Sequence, residues 1–170
     1  MMKQLKVFLL VIPLILSLFG CTVNKNIPTE CISDTIDVIP SPAMYIASDV
    51  PQGACLTLSR DDGKYAVFSH PDYEITQEIF TATSWDDAFL HVCGRSAQDL
   101  KPILAGNFPQ EKYRCTWTVA GEKGTDLCQS LIFFDGSFYY AISVQCAAQK
   151  AGTYADAFSD LLSCAELCSV

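Results

Sequence analysis

The chain has 170 residues, half of them hydrophobic, with 19 acidic residues against 11 basic ones and a formal net charge of −8. An acidic chain without a basic patch argues against nucleic acid as a partner and against electrostatic docking on anionic lipid. The length suits one domain with a substantial core.

Two lysines, Lys3 and Lys6, open the chain, and an apolar run from Val7 to Leu18 follows, interrupted by Pro13 and Ser17. That run has the length of a signal-peptide core and is short for a membrane span. It ends in Leu18-Phe19-Gly20-Cys21, which resembles the lipobox of bacterial lipoproteins. In that family a small residue, here Gly20, precedes the cut, and the cysteine, here Cys21, receives a diacylglyceryl group. Phe19 departs from the pattern, where a smaller or β-branched residue is commoner. The resemblance implies export, cleavage before Cys21 and lipid anchoring to the outer face of the cytoplasmic membrane, or to an outer membrane where one exists. Two or more acyl chains hold a protein on a membrane stably. A plain secretion signal and an uncleaved anchor helix are the alternatives. From Cys21 onward nine basic residues face nineteen acidic ones, a net charge of −10.

Residues 21–42 read as a flexible tether, since Asn24, Asn26, Pro28, Pro40, Ser41 and Pro42 discourage regular structure. A single domain is expected over 43–170. Met44 to Ala47 forms a short strand. Cys55 to Arg60 alternates Leu56 and Leu58 with Thr57 and Ser59, the period of a half-buried strand. Asp61-Asp62-Gly63 turns the chain into a second strand, Lys64 to Ser69, and makes a hairpin. Pro71-Asp72 breaks it, and Tyr73 to Ala82 is β-rich. Ser84 caps a helix with Asp86 and Asp87 in its first turn and Gly94 at its end. Leu100 to Ala105 is a short strand that Pro102 restricts to an edge or a start. Lys112 to Ala120, Leu127 to Phe134 and Ser137 to Cys146 form a three-strand meander. Its turns lie at Gly121 to Gly124 and at Asp135-Gly136. A final helix runs from about Thr153 to Leu167 on Tyr154, Phe158, Leu161, Leu162 and Ala165.

Centring the second hairpin on Asp135-Gly136 pairs Phe133 with Phe138 and Leu131 with Tyr140. One face then carries Leu131, Phe133, Phe138, Tyr140, Ile142 and Val144. The other carries Ile132, Phe134 and Tyr139, joined by Tyr113, Cys115, Trp117 and Cys128. Only an odd slip swaps faces, so a two-residue error leaves this assignment intact. A sheet apolar on both sides needs cover on both. The two helices supply it, giving an α+β fold: a mainly antiparallel sheet with helices on both faces, an α/β/α sandwich. Residues 131–164 then read as hairpin, Asp-Gly turn, aromatic strand and Tyr154-x-x-x-Phe158-x-x-Leu161-Leu162-Ser163. This stretch resembles the C-terminal part of PsbP/DcrB-like domains, with Cys164 where that family usually has an aromatic. The resemblance implies an antiparallel sheet between helices, in a family of non-enzymatic extracytoplasmic accessory proteins. No functional residue carries over, because the matching positions are core positions.

With Cys21 lipidated, eight cysteines remain: Cys31, Cys55, Cys93, Cys115, Cys128, Cys146, Cys164 and Cys168. An even number outside the cytoplasm reads as a disulfide set whose pairing the sequence leaves open. Cys115 and Cys128 share one face of one hairpin, opposite or diagonal. Cys164 and Cys168 would share a face of a continuing helix. No C-x-x-C pair exists, His70 and His91 are far apart, and no metal or cofactor is expected. G-x-S-x-G, H-E-x-x-H, phosphate-loop and dinucleotide motifs are absent. His91 is expected to pair with Asp87 one helical turn back, His70 to serve a turn, and Asp61-Asp62-Gly63 to be a hairpin turn rather than a calcium loop.

The expected function is a binding or accessory module of the cell envelope, anchored to the membrane by its lipid. Its partner is another envelope protein or a cell-wall component. The rival is a hydrolase whose site is assembled from scattered residues. Trp117, Phe134 and Tyr139 form the candidate partner patch if the helix on their face falls short of them; otherwise they are core.

Overall fold

The structure is a computed structural model and describes residues 41–106, 110–122 and 124–170. The leader, Cys21, Cys31 and nearly all of the expected tether lie outside the described residues.

The chain order is strand β1 (Met44–Ala47), β2 (Cys55–Arg60), β3 (Tyr65–His70), β4 (Tyr73–Phe80), helix α1 (Trp85–Cys93), α2 (Ala97–Leu100), β5 (Ile103–Gly106), β6 (Glu111–Gly121), β7 (Gly124–Phe134), β8 (Tyr139–Ala147), α3 (Ala155–Cys164) and β9 (Glu166–Ser169). Seven strands form one antiparallel sheet in the order β2-β3-β4-β8-β7-β6-β5, and β1 pairs β9 in a separate ribbon. The fold is α+β with a mainly antiparallel sheet.

Local chemistry sets the element ends. Ser84 is extended, and its hydroxyl accepts the Asp87 N–H at the start of α1. Gly94 closes α1 at φ 65°, a left-handed position where glycine carries no Cβ penalty. Asp61 and Asp62 both take left-handed φ in the turn after β2, a conformation that aspartate tolerates better than most residues.

Period-two alternation divides the meander between two cores. Leu131, Phe133, Phe138, Tyr140, Ile142 and Val144 pack with Phe158, Leu161 and Leu162 of α3 and with Ile46 and Leu167 of the ribbon. Ile132, Tyr139 and Ala141, with Cys115, pack with Ala88, Phe89 and Cys93 of α1. The face assignment from the sequence holds.

Several expectations change. The β7–β8 hairpin pairs Phe134 with Tyr139 and Phe133 with Tyr140, two residues away from the expected register. Its loop is Asp135 to Phe138, because the Asp135 carboxylate accepts the N–H groups of Ser137 and Phe138, each at 2.8 Å. The even slip leaves every side chain on its expected face. The β6–β7 hairpin pairs Gly121 with Gly124, where its turn was expected. β2 is an edge strand with a bulge between Leu56 and Leu58. Leu56 is therefore 57% exposed rather than half-buried. Where one strand was expected from Leu100, Ser96 caps the short helix α2, and β5 begins after Pro102. The final helix stops at Cys164, and the next residues become β9, paired with β1. Cys164 and Cys168 consequently share no helix face.

Candidate functional site

Helix α1 has nine residues and so is ~13 Å long at the usual rise. The strand β7 beneath it has eleven residues and spans ~36 Å. The helix covers only part of that sheet face, and the sequence is matched to the difference. Under α1 the face carries Phe80, Tyr139, Phe134 and Tyr113, then Ala141 and Ile132. Beyond these, cross-strand neighbours turn polar in step. One row runs Thr76, Ser143, Ser130, Cys115, and the next runs Glu74, Gln145, Cys128, Trp117. In these rows Ser130, Cys115 and Cys128 are buried and Trp117 packs against the α1 core, so the open part of the face is Glu74, Thr76, Ser143 and Gln145 on β4 and β8.

A cavity of about 400 Å³ lies over this part, lined by Glu74, Thr76, Glu78, Ser143, Gln145 and Trp117, with Tyr65, Cys128, His91 and Val92 at its rim and floor. Glu74 is exposed and Trp117 half-buried. Ser130 is fully buried, and its hydroxyl meets that of Ser143 at 2.5 Å. A second cavity of about 500 Å³ shares Glu74 and Gln145 and continues to Asp72, Glu122 and Asp126. The Gln145 amide donates to Asp126 at 2.9 Å.

His91 does not pair with Asp87. Its Nε2 lies 3.0 Å from Glu78 of β4, and its ring stacks on Phe80 at 4.2 Å. Asp87 instead accepts the hydroxyl of Thr83. That hydrogen bond, with one from Ser84, holds the Asp87 carboxyl below its ordinary value. His70 serves a turn: its Nδ1 accepts the Asp72 N–H at 3.2 Å and its ring stacks on Tyr73 at 4.3 Å.

A hydrolase needs a nucleophile bonded to its base. Among the described residues His91 meets a carboxylate but no hydroxyl or thiol. The Ser143 hydroxyl is engaged with Ser130. Burial pushes the Cys128 thiol up to about 11, so it stays protonated at neutral pH. Among the described residues no group of three His, Cys, Asp or Glu side chains is arranged to hold a metal ion.

The seven described cysteines of the disulfide set stand as free thiols: Cys93, Cys115, Cys128 and Cys146 buried, Cys55 and Cys164 exposed, Cys168 between. Cys115 faces Ser130 across the hairpin, and Cys128 faces Trp117, so the two cysteines are diagonal neighbours. The fold brings Cys93, at the end of α1, into the same buried cluster as Cys115. A hydrogen bond between these two, followed by burial, pushes the Cys93 thiol far up; the same bond lowers Cys115.

The three residues of the expected partner patch separate. Phe134 and Tyr139 stack at 4.5 Å, with Trp85 of α1 edge-on to both. Trp117 stands with Cys128, six residues back along β7 and so ~20 Å away.

No family model matches the sequence, and no curated protein matches it either. Solved structures do match. LpqN of Mycobacterium tuberculosis, described as involved in cell envelope biogenesis, superposes with a TM-score of 0.51 at 12% identity, over 76% of this chain and 87% of that one. Cyanobacterial PsbP (CyanoP) from Synechocystis sp. PCC 6803 superposes with a TM-score of 0.50 at 11% identity, over 78% of this chain and 96% of that one. The chain has a PsbP-like fold. The resemblance in residues 131–164 pointed to this fold; Phe158, Leu161 and Leu162 of its motif are core and Tyr154 packs against them, whereas Ser163 and Cys164 are exposed rather than core.

Proposed function

We propose that the chain is an exported lipoprotein, cut before Cys21 and displayed on a tether of residues 21–42. Its folded part, residues 43–170, is a binding or accessory module of the cell envelope rather than an enzyme. The observation that carries this reading is the open part of the sheet face beside α1. It is concave, polar and flanked by Trp117, and among the described residues no nucleophile there meets a base. The Gly20-Cys21 pair at the end of an apolar run supports the anchor. The fold shared with LpqN, a protein of envelope biogenesis, fits the same compartment. The two cores on opposite sheet faces support an α/β/α sandwich.

Cys21→Ala is expected to abolish labelling by an alkyne fatty acid and to release the chain from the membrane fraction. Equal labelling of mutant and wild type removes the anchor from the proposal. The binding module is tested with a photo-crosslinking residue at position 117, compared with one at Asp160 on α3. A discrete adduct in native membranes from position 117 alone is expected; matching adducts from both positions, or none, would count against the open face.

The proposal includes disulfides in the exported protein, and the buried cluster favours Cys93 with Cys115 over the diagonal hairpin pair. Non-reducing peptide mapping is expected to recover Cys93 linked to Cys115. Recovery of Cys115 linked to Cys128 returns the bridge to the hairpin.

A further inference from the structure

We infer that Cys128 is a redox relay: it carries disulfide exchange between the buried Cys93–Cys115 bridge and a small-molecule thiol that enters the cavity over β4 and β8. This rests on the reading of Cys93 and Cys115 as a disulfide in the exported protein, and it names the chemistry that opens that bridge. The thiols of Cys93, Cys115 and Cys128 meet on the sheet face beneath α1. Cys93 is the last residue of α1 and shares a buried cluster with Cys115 of β6. Cys115 faces Ser130 and Cys128 faces Trp117, so Cys115 and Cys128 are diagonal neighbours on that face. The hydrogen bond to Cys115 and burial push the Cys93 thiol up, and the approach of Cys115 and then of Cys128 adds to this, which places Cys93 near both sheet thiols. The other described cysteines lie elsewhere. Cys146 belongs to the core on the opposite face, Cys164 ends α3, Cys168 lies in the β1–β9 ribbon and Cys55 starts the edge strand β2.

Access separates these thiols. Cys115 and Cys93 are 1% and 6% exposed, and neither lines the cavity beside α1. Cys128 does line it, together with Val92, the residue before Cys93. Disulfide exchange needs a thiolate to reach the sulfur that it attacks, so a thiol in the cavity meets Cys128 first. The Cys128 thiolate attacks the Cys93 sulfur. The Cys93–Cys128 bond forms, the Cys93–Cys115 bond breaks, and the electron pair leaves on Cys115, which takes up a proton. Attack falls on Cys93 because a helix end can shift, whereas diagonal positions of a hairpin are held by the ladder. A small thiolate in the cavity then attacks the Cys128 sulfur, forming a mixed disulfide and releasing Cys93. A second small thiolate attacks the sulfur of the first, which frees Cys128 and yields a small-molecule disulfide. One protein bridge and two small thiols thus become two protein thiols and one small disulfide. Because burial holds the Cys128 thiol at about 11, the relay is slow at neutral pH and speeds as pH rises. The bridge ties the end of α1 to β6, and Gly94 follows it at φ 65°. Opening it frees the end of the helix whose His91 and Val92 line the cavity.

The test follows opening of the bridge in the purified full chain in neutral detergent, after oxidation with oxidised glutathione. Mercaptoethanol is the probe, and samples are quenched in acid before peptide mapping. Under native conditions Cys128→Ala is expected to slow loss of the Cys93–Cys115 bridge at least tenfold. Cys55→Ser, at the exposed start of β2, is expected to match wild type. In guanidinium, where every sulfur is reached, wild type and Cys128→Ala are expected to open at one rate. Partly reduced wild type is expected to yield peptides that join Cys128 to Cys93, and this result decides the matter if thermal melts show Cys128→Ala to be unfolded. Equal native rates for wild type and folded Cys128→Ala overturn the relay. So does a rate difference that persists in guanidinium, or partly reduced wild type without a peptide linked through Cys128. Those results leave the bridge itself standing. Absence of a Cys93–Cys115 bridge from the oxidised chain rejects the disulfide reading and the relay with it.

Discussion

Phe133→Ala is expected to lower the unfolding free energy by about 3–5 kcal/mol, a large share of the total for a domain of this size. Phe133 is 1% exposed and sits opposite Tyr140 in the core that α3 and the ribbon close. Truncation removes the ring's transfer free energy and leaves a cavity that a well-packed sheet cannot collapse. Phe134, its neighbour on the other face, is only partly buried and stacks on Tyr139. Phe134→Ala should therefore cost clearly less, while Tyr139→Ala, at 4% exposure, should approach the Phe133 value. Urea melts of the three variants beside wild type measure this. Equal losses at positions 133 and 134 would mean that α1 seals its face as completely as α3 seals the other.

Asp135→Ala is expected to cost about 2–3 kcal/mol, the scale of removing a charged acceptor from donors that are partly buried. Its carboxylate takes the Ser137 and Phe138 N–H groups and, at 2.6 Å, the hydroxyl of the buried Tyr140. Burial alone would push this carboxyl up, but the donors outweigh it and hold its pKa below the ordinary value of 3.8. Burial and the facing carboxylate raise the Tyr140 phenol in turn. A carboxyl depressed in the folded state stabilises fully above its unfolded pKa, and that stabilisation is lost as pH falls through the lower folded value. The gap between wild type and Asp135→Asn should thus be constant near neutrality and shrink below about pH 4. Urea melts across pH 2–7 check the sign; a gap that widens in acid would place Asp135 outside this network.

Much of the fold can be read from short-range chemistry. Ser84 and Gly94 bracket α1 as expected because caps depend on residues within a few positions of the helix end. The two faces of the meander were recoverable even with the wrong hairpin register, because face membership depends only on parity. The register itself escaped: Asp135-Gly136 suggested a two-residue turn, but the Asp135 side chain bonds two backbone donors and stretches the loop to four. The end of the final helix escaped as well. Residues after Cys164 retain apolar spacing compatible with a helix, and what makes β9 a strand is its pairing with β1, more than a hundred residues earlier.

The candidate site was less legible than the fold. Glu74, Thr76, Ser143 and Gln145 look like the solvent side of ordinary alternating strands when each strand is read alone. They become one surface only when β8 lies between β4 and β7, an adjacency that joins segments about seventy residues apart. His91 met Glu78 rather than Asp87 for the same reason, since β4 passes beside α1 and the Thr83 hydroxyl already donates to the Asp87 carboxylate. The sequence by itself determined the elements, their caps, the parity of the faces and the need for cover on both, all local or period-two properties of the chain. Tertiary structure alone decided where that cover stops. The short helix α1 leaves part of the face on β4 and β8 uncovered, and only strand order and register show that Glu74, Thr76, Ser143 and Gln145 align there.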